Sequence, residues 1–286
     1  MERKNMSYKI VVDSCCDLPD NWDDGGKVVK VPLTLHLDGV DYIDDETFNQ
    51  KAFIKAVSES ESCPKTSCPS PGAYCEAYDG EGEDIYVVTL SEKLSGSYGS
   101  AVVGMNLFLE EHEEQKKNIH VFNSCTASGG EGQIAMKIRE CADQGKTFEE
   151  VVAEVEEFRY AMNTYFVIET LETLRKNGRL TGLQAMMASV LNIKPVMGAS
   201  KEGEIIKLDQ ARGMERALKK MTEYVLKQVV DADKKTLVVT HCNCPERAGK
   251  VAKTFRETNQ FKNVMITGTG GISTCYANDG GIIVTV

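Results

Sequence analysis

An α/β fold made of two α/β domains is what this sequence predicts, and three observations carry the prediction. Short apolar runs alternate with amphipathic segments along the chain, the pattern of strands feeding helices. Several runs, among them the one inside Asp84 to Leu90, are almost continuously apolar, as strands covered on both faces are. The length of 286 residues lies where a single core stops growing, at about 250–300, so two domains are the default. A change of texture near Tyr160 to Thr164 sets the expected boundary. It gives an N-terminal domain over 1–160 with a mostly parallel sheet and a C-terminal α/β domain over 161–286.

The expected strands are Tyr8 to Val12, Val28 to Leu33, Asp84 to Leu90, Asn118 to Phe122, Thr164 to Glu169, Lys194 to Gly198, Ile205 to Leu208, Lys235 to Thr240 and Asn263 to Thr267. Thr34 to Leu37, Asp38-Gly39 and Val40 to Ile43 read as a hairpin, because Asp-Gly tolerates the positive φ of its tight turn. Thr47 with Gln50, and Thr147 with Glu150, read as capping boxes ahead of apolar helix faces. Ser70-Pro71 supplies a cap and a first-turn proline. Gly145 reads as the glycine that ends a helix.

A net charge of −10 repels phosphate backbones and anionic headgroups, so neither nucleic acid nor a membrane surface is an expected partner. No apolar run approaches the ~20 residues of a membrane span, so no stable membrane insertion is expected. Polar Met1 to Ser7 leads straight into Tyr8 to Asp13, with no secretory signal, and a cytoplasmic chain with reduced thiols is the expectation for its ten cysteines. His241-Cys242-Asn243-Cys244 and the Cys63, Cys68 spacing lack the CxxC pair of a zinc ribbon. They read as loops, and no metal is expected.

Four segments are candidates for function. Leu94-Ser95-Gly96-Ser97-Tyr98 follows the strand Asp84 to Leu90 and opens a helix. In a parallel sheet such a turn lies at the carboxyl edge where ligands bind, and small residues let amides approach an anion. Taken alone, it could equally be a serine cap. Lys65-Thr66-Ser67-Cys68-Pro69-Ser70-Pro71 is a second hydroxyl-rich helix entry, and its hydroxyls can donate to a carboxylate without adding charge. Thr173 to Gly182 holds Arg179 among basic residues that could simply complement a helix dipole. The fourth runs from Leu191 through Lys194-Pro195 and Gly203 to Ala211-Arg212-Gly213. Leu183, Met186, Met187 and Val190 could form an adaptable wall or plain core.

Taken together and in order, these blocks resemble the DegV family of bacterial fatty-acid-binding proteins over nearly the whole chain. Ile10-Val-Val-Asp13-Ser14-Cys-Cys-Asp17-Leu-Pro19 is similar to the family's opening strand and Asp-Ser turn. Val31-Pro32-Leu33, Gly39, Tyr42 and Asp44 resemble its second block. Thr66-Ser67-Cys68-Pro69-Ser70-Pro71 resembles Thr-Ser-Gln-Pro-Ser-Pro, and Leu94-Ser95-Gly96-Ser97-Tyr98 resembles Leu-Ser-Gly-Thr-Tyr. Gly178-Arg179-Leu180 and Lys194-Pro195 are similar to later blocks. Where the family reads Thr-His-Thr-Gly-Pro-Gly, this chain reads Thr274-Cys275-Tyr276-Ala277-Asn278-Asp279, with Cys275 in the histidine's place. The resemblance implies a long-chain fatty acid in an apolar tunnel between two α/β domains. It implies no cofactor and no chemistry by the chain itself. Thr66, Ser67, Ser95, Gly96 and Cys275 would hold the carboxylate. Arg179 and Arg212 would face a partner, a fatty acid kinase similar to dihydroxyacetone kinases, which forms the acyl-phosphate.

The alternative is a small-molecule enzyme, a hydrolase or a thiol enzyme, using the same cleft. Against it, no Gly-x-Ser-x-Gly elbow occurs, and His36, His112, His120 and His241 stand in no recognisable triad context. A thiol enzyme would have to use Cys275, for which the sequence assigns no acid or base. Gly268-Thr-Gly270-Gly-Ile-Ser273 partly mimics a dinucleotide loop but ends in Ser, with no room after it for a further βαβ unit.

Overall fold

The computed structural model describes residues 7–19, 22, 24–180 and 192–286. Its strands are β1 (Tyr8–Asp13), β2 (Val28–Val31), β3 (Thr34–Leu37), β4 (Val40–Ile43), β5 (Lys65–Ser67), β6 (Asp84–Thr89), β7 (Asn118–Asn123), β8 (Thr164–Val167), β9 (Ile193–Ala199), β10 (Ile205–Arg212), β11 (Thr236–His241), β12 (Asn263–Gly268) and β13 (Ile282–Thr285). Its helices are α1 (Gln50–Glu59), α2 (Pro71–Tyr78), α3 (Ser97–Glu111), α4 (Gly129–Asp143), α5 (Phe148–Ala161), α6 (Glu172–Lys176), α7 (Met214–Gln228), α8 (Pro245–Glu257) and α9 (Gly271–Ala277). No helix among the described residues is long and apolar enough to cross a membrane.

Three sheets organise the chain. The first is parallel throughout, in the order β2-β1-β6-β7. Its two inner strands are almost wholly buried because helices cover both faces. Ile10, Val12 and Val88 point to Ile134 of α4 and Val151 of α5, while Val11, Ile85 and Val87 point to Tyr74 of α2 and Phe108 of α3. This alternation explains the apolar runs, since residues of both parities meet a core.

The second sheet runs β10-β9-β8-β13-β11-β12 and is antiparallel at every pairing except β11–β12. It takes all its strands from residues 193–285 and 164–167, and the first sheet takes all of its own from 8–123. One face, with Tyr165, Val167, Ile282 and Val284, packs on Met221 of α7 and Phe255 of α8. Phe166, Ile168 and Ile283 carry the opposite parity and turn toward the other half of the molecule. The third sheet, β4-β3-β5, is the expected hairpin with one short strand added.

Local signals were mostly read correctly, with informative exceptions. Ser70 caps α2 by accepting from Ala73 N, and Thr147 with Glu150 forms a complete capping box on α5. Gly145, at φ +73°, follows α4 as expected. The Thr47–Gln50 box is not formed. Asn49 caps α1 by accepting from Ala52 N, and Thr47 turns to Asp45 instead. Gln50 is thereby released to bond Thr269 and Thr274 of the second half, at 2.8–2.9 Å. Lys65–Ser67, read as loop, is β5, because its partner is Thr34–His36, too distant in sequence to leave a local pattern. Strand β13 was not expected either, yet it is central, between β8 and β11. The loop reading of His241 to Cys244 holds: β11 ends at His241 and Cys244 N-caps α8. All ten cysteines are free thiols.

The cap assignment is directly testable. Asn49→Ala should lower unfolding stability by about 1 kcal/mol, and Thr47→Ala by distinctly less. Equal losses in denaturant titrations would return the cap to Thr47.

Candidate functional site

Between the two large sheets lies a cavity with about 790 Å³ of empty space, its mouth included. The space open to the centre of a water molecule is only about 110 Å³, so the cavity is narrow. The first half contributes Cys15, Leu90, Leu94 and Thr126 to Ser128; the second contributes Phe166, Ile168, Leu174, Ile205 and Ile283 among others. The wall is therefore nearly all carbon.

Three polar side chains come together at the cavity's head. Tyr276 Oη and Thr66 Oγ1 are 2.8 Å apart, which joins α9 to β5. The Arg179 guanidinium lies 5.8 Å from the Tyr276 ring centroid. Its Nε donates to Leu94 O at 3.0 Å and its Nη1 to Asn177 O at 2.5 Å. Burial pushes the Tyr276 phenol up, and Thr66 and Arg179 pull it only partly back, so it stays protonated and able to donate. A phenol, a hydroxyl and a guanidinium at the head of an apolar cavity suit an amphiphilic anion.

The backbone supporting this end is set by buried acids. Asp13, at the end of β1, accepts from Leu90 N, Cys15 N and Ser97 Oγ, and so holds the β6–α3 turn in place. Asp17 accepts from Gly270 N at 2.7 Å and Ser128 Oγ at 2.6 Å. Asp44 accepts from Gly271 N at 2.6 Å and Ile272 N at 2.9 Å. The bond to Asp17 helps hold Ser128 at φ +61°, ψ −131°, a conformation nearly confined to glycine, which presents it to the cavity. Gly203 also lines the cavity, at φ +84°. A Cβ there would lie 2.2 Å from Ser91 Oγ, whose hydroxyl donates to Gly203 O.

The expected site residues are only partly brought together. The two hydroxyl-rich loops do meet: a Cβ on Gly96 would lie 3.2 Å from Cys68 Sγ. Thr66 reaches the head of the cavity through Tyr276. Ser95 is half-buried and its Oγ accepts from Ser97 N, while Gly96 is exposed. Ser67 turns outward to His36 Nε2 at 2.9 Å. Cys275 is not among the residues that line the cavity; it packs with Leu33, Leu35 and Phe53 in a cluster that also holds the lining residues Cys15, Leu90 and Ile272, and burial pushes its thiol up. Adjacent residues on a helix point about 100° apart, so Tyr276 takes the cavity side beside Ile272 and Ser273, residues spaced to share a face. Arg179, expected to face a partner, lines the cavity, whereas Arg212 is exposed at the end of β10. Leu183, Met186, Met187 and Val190 lie outside the described residues. Tyr276, Asp17 and Asp44 were missed as site elements. Their signal was present as acids and a phenol inside the quoted blocks, but nothing local says that they converge.

Comparison with known proteins gives a consistent picture. A family model described as an uncharacterised protein of the DegV family matches residues 7–285. A DegV domain-containing protein of Streptococcus pneumoniae is 31% identical over 281 residues, 97% of this chain and 98% of the relative. A crystal structure of a DegV family protein from Ruminococcus gnavus, refined with vaccenic acid, superposes with a TM-score of 0.94 at 49% identity, over 98% of this chain and 100% of the other. The Streptococcus pneumoniae Fatty Acid Kinase (Fak) B3 protein, loaded with linoleic acid, gives a TM-score of 0.89 at 30% identity, over 98% and 99%.

The acids below the head predict a pH signature. Asp17 is raised from its ordinary 3.8 to about 6, chiefly by burial. The native state then holds the proton more tightly than the unfolded chain. The contribution favours folding fully below about pH 3.8 and is lost as pH rises through about 6. The stability of the native sequence relative to Asp17→Asn should therefore fall between pH 4 and 7. A pH-independent difference between their melting temperatures would remove Asp17 from this role.

Proposed function

The chain belongs to the DegV family, and on that premise we propose that it binds one long-chain fatty acid and presents its carboxylate to a separate kinase. The acyl chain would lie along Phe166, Ile168, Ile205 and Ile283, with the carboxylate at Thr66, Tyr276 and Arg179. The observation that carries the reading is an apolar cavity beside which Thr66, Tyr276 and Arg179 come together. The acids bound to the Ruminococcus and Streptococcus proteins favour it. In this reading the cavity is the seam between two α/β domains, 1–160 and 161–286.

Energetics agree. Burying about fourteen methylenes at ~0.8 kcal/mol each yields roughly 11 kcal/mol before association costs. The head group has only to avoid a desolvation penalty and set orientation. Ser95 and Gly96 would offer a hydroxyl and backbone beside Leu94, the residue that Arg179 grips. Ser67 and Cys275 face elsewhere and are left out of the proposed contacts. Exposed Arg212 stays the candidate for kinase contact, with Arg179 moved to the ligand. A kinase partner is favoured by the Fak B3 relative. Carriage is also favoured over chemistry within the cavity. The thiol at its wall, Cys15, is pushed well up by burial and by Glu131, Asp13 and Asp17, away from the thiolate a thiol enzyme needs.

Denaturing extraction of purified protein should release about one fatty acid per chain, identified by mass spectrometry, as a single buried site implies. Tyr276→Phe and Arg179→Ala should each weaken acid binding by roughly 1–3 kcal/mol, with Ser95→Ala and Thr66→Val in the same range. Cys275→Ser should leave affinity within about threefold, or ~0.65 kcal/mol. Protein without lipid that takes up no palmitate or oleate would end the reading.

A further inference from the structure

The cavity has a far end, and its chemistry differs from that of the head. Thr164, Phe166 and Ile168 alternate along and just beyond β8 and all line the cavity, a span of roughly 13 Å at ~3.3 Å per residue. Ile168 clusters with Leu174 and Tyr276 on the head side, so Thr164, four residues back along β8, marks the other end. There Thr164 Oγ1 lies 2.7 Å from Thr126 Oγ1, a residue of the segment between β7 and α4. The pair thus spans the two halves of the molecule. Beyond it is a second, smaller cavity that shares Thr126, Thr164 and Ala199 with the first and adds Ser124, Arg159 and Lys201. Arg159 pairs with Glu156 at 2.6 Å and Lys201 donates to Tyr160 O at 2.8 Å. The environment therefore turns from carbon to charge across one hydroxyl pair.

We propose that Thr126 and Thr164 are the length stop of the acyl cavity, the residues that decide how long a chain this protein accepts. The inference rests on the fatty-acid reading and adds a specificity determinant to it. Each methylene up to the pair gains apolar burial. One more must part the hydroxyls, break their hydrogen bond and bring carbon against the polar chamber. Affinity should thus climb with chain length and then break. Retreat of the wall is restricted at this end. A Cβ on Gly198 would already lie 2.8 Å from Leu208 Cδ1, and Gly203 sits against Ser91 and Cys125.

The test uses delipidated full-length protein and a ladder of saturated acids lengthened two carbons at a time, in competition for one fluorescent fatty acid. The native sequence should show a break. In Thr126→Ala/Thr164→Ala the break should move to acids at least two carbons longer. The first excluded acid should gain roughly tenfold, as about two newly buried methylenes imply. Thr164→Ser, which keeps the hydroxyl, should leave the break in place; Thr164→Ala alone serves if the double variant does not fold. A break that stays put in folded alanine variants, or a native profile with no break, overturns the stop while leaving the fatty-acid reading intact. Native protein that binds no acid of any length takes down the reading and the stop with it.

Discussion

Two carboxylates from one half of the molecule, seated on the first amides of a short helix from the other, set the geometry on which the cavity depends. Asp17 and Asp44 accept from Gly270, Gly271 and Ile272, at the start of α9. Burying these acids is costly, and amides at a helix N-terminus are among the few partners that offset it. The contact leaves no slack. A Cβ on Gly271 would lie 2.6 Å from Asp44 Oδ1, so only glycine lets the carboxylate in. Tyr276 is carried by the same helix, and its approach to Thr66 is inherited from that anchoring. The same bonds dispose of the dinucleotide-loop alternative. The amides that would cradle a phosphate are already occupied by the protein's own acids.

The two sheets divide the remaining work. In the first, both faces of the inner strands are consumed by helices, so the sheet can offer a ligand only the loops at its carboxyl edge. In the second, α7 and α8 cover one face, and the other packs partly on α4, through Gly129 against Val238, Thr240 and Thr285, and partly lines the cavity. Antiparallel pairing permits this arrangement. A strand such as β8 can give Tyr165 and Val167 to the core and Phe166 to the cavity, because alternate side chains point apart. The cavity is thus the unfilled part of one face of an ordinary sheet, closed by the loops of its neighbour. Affinity would come from that face and orientation from the few polar groups where the loops end.

Legibility in the sequence followed the range of the interactions. Elements with their own period were read almost to their ends: β1, β6, β7, β11 and β12 lie where apolar runs lie, and the caps Ser70 and Thr147 act as expected. What depends on a distant partner was not legible. Strand β5 has three residues and exists because β3 pairs with it. Strand β13 is four residues long and exists because β8 and β11 flank it. At the site, block order located the right loops and could not resolve which side chain of a block faces inward. A choice between Cys275 and Tyr276 is a rotation of about 100° on a helix whose angle is set by Asp17 and Asp44, far away in the chain. Arg179 was found and its direction was not, because the groups it grips, Leu94 O and the Tyr276 ring, come from other elements.

The ionisable groups around the cavity share one tendency. Cys15 and Tyr276 are raised by burial, each toward its neutral form. Behind the wall Glu131, wholly buried beside Asp13, is raised well above the carboxylate range by burial and by the neighbouring Asp13 carboxylate. Burial holds the Cys15 thiol and the Tyr276 phenol in their neutral forms, while it brings Asp17 to about 6. A wall of neutral thiol, phenol and hydrocarbon would leave the proposed carboxylate unattacked, with Arg179, Thr66 and Tyr276 beside it. In the proposed function, that combination would deliver the acid unreacted and already oriented.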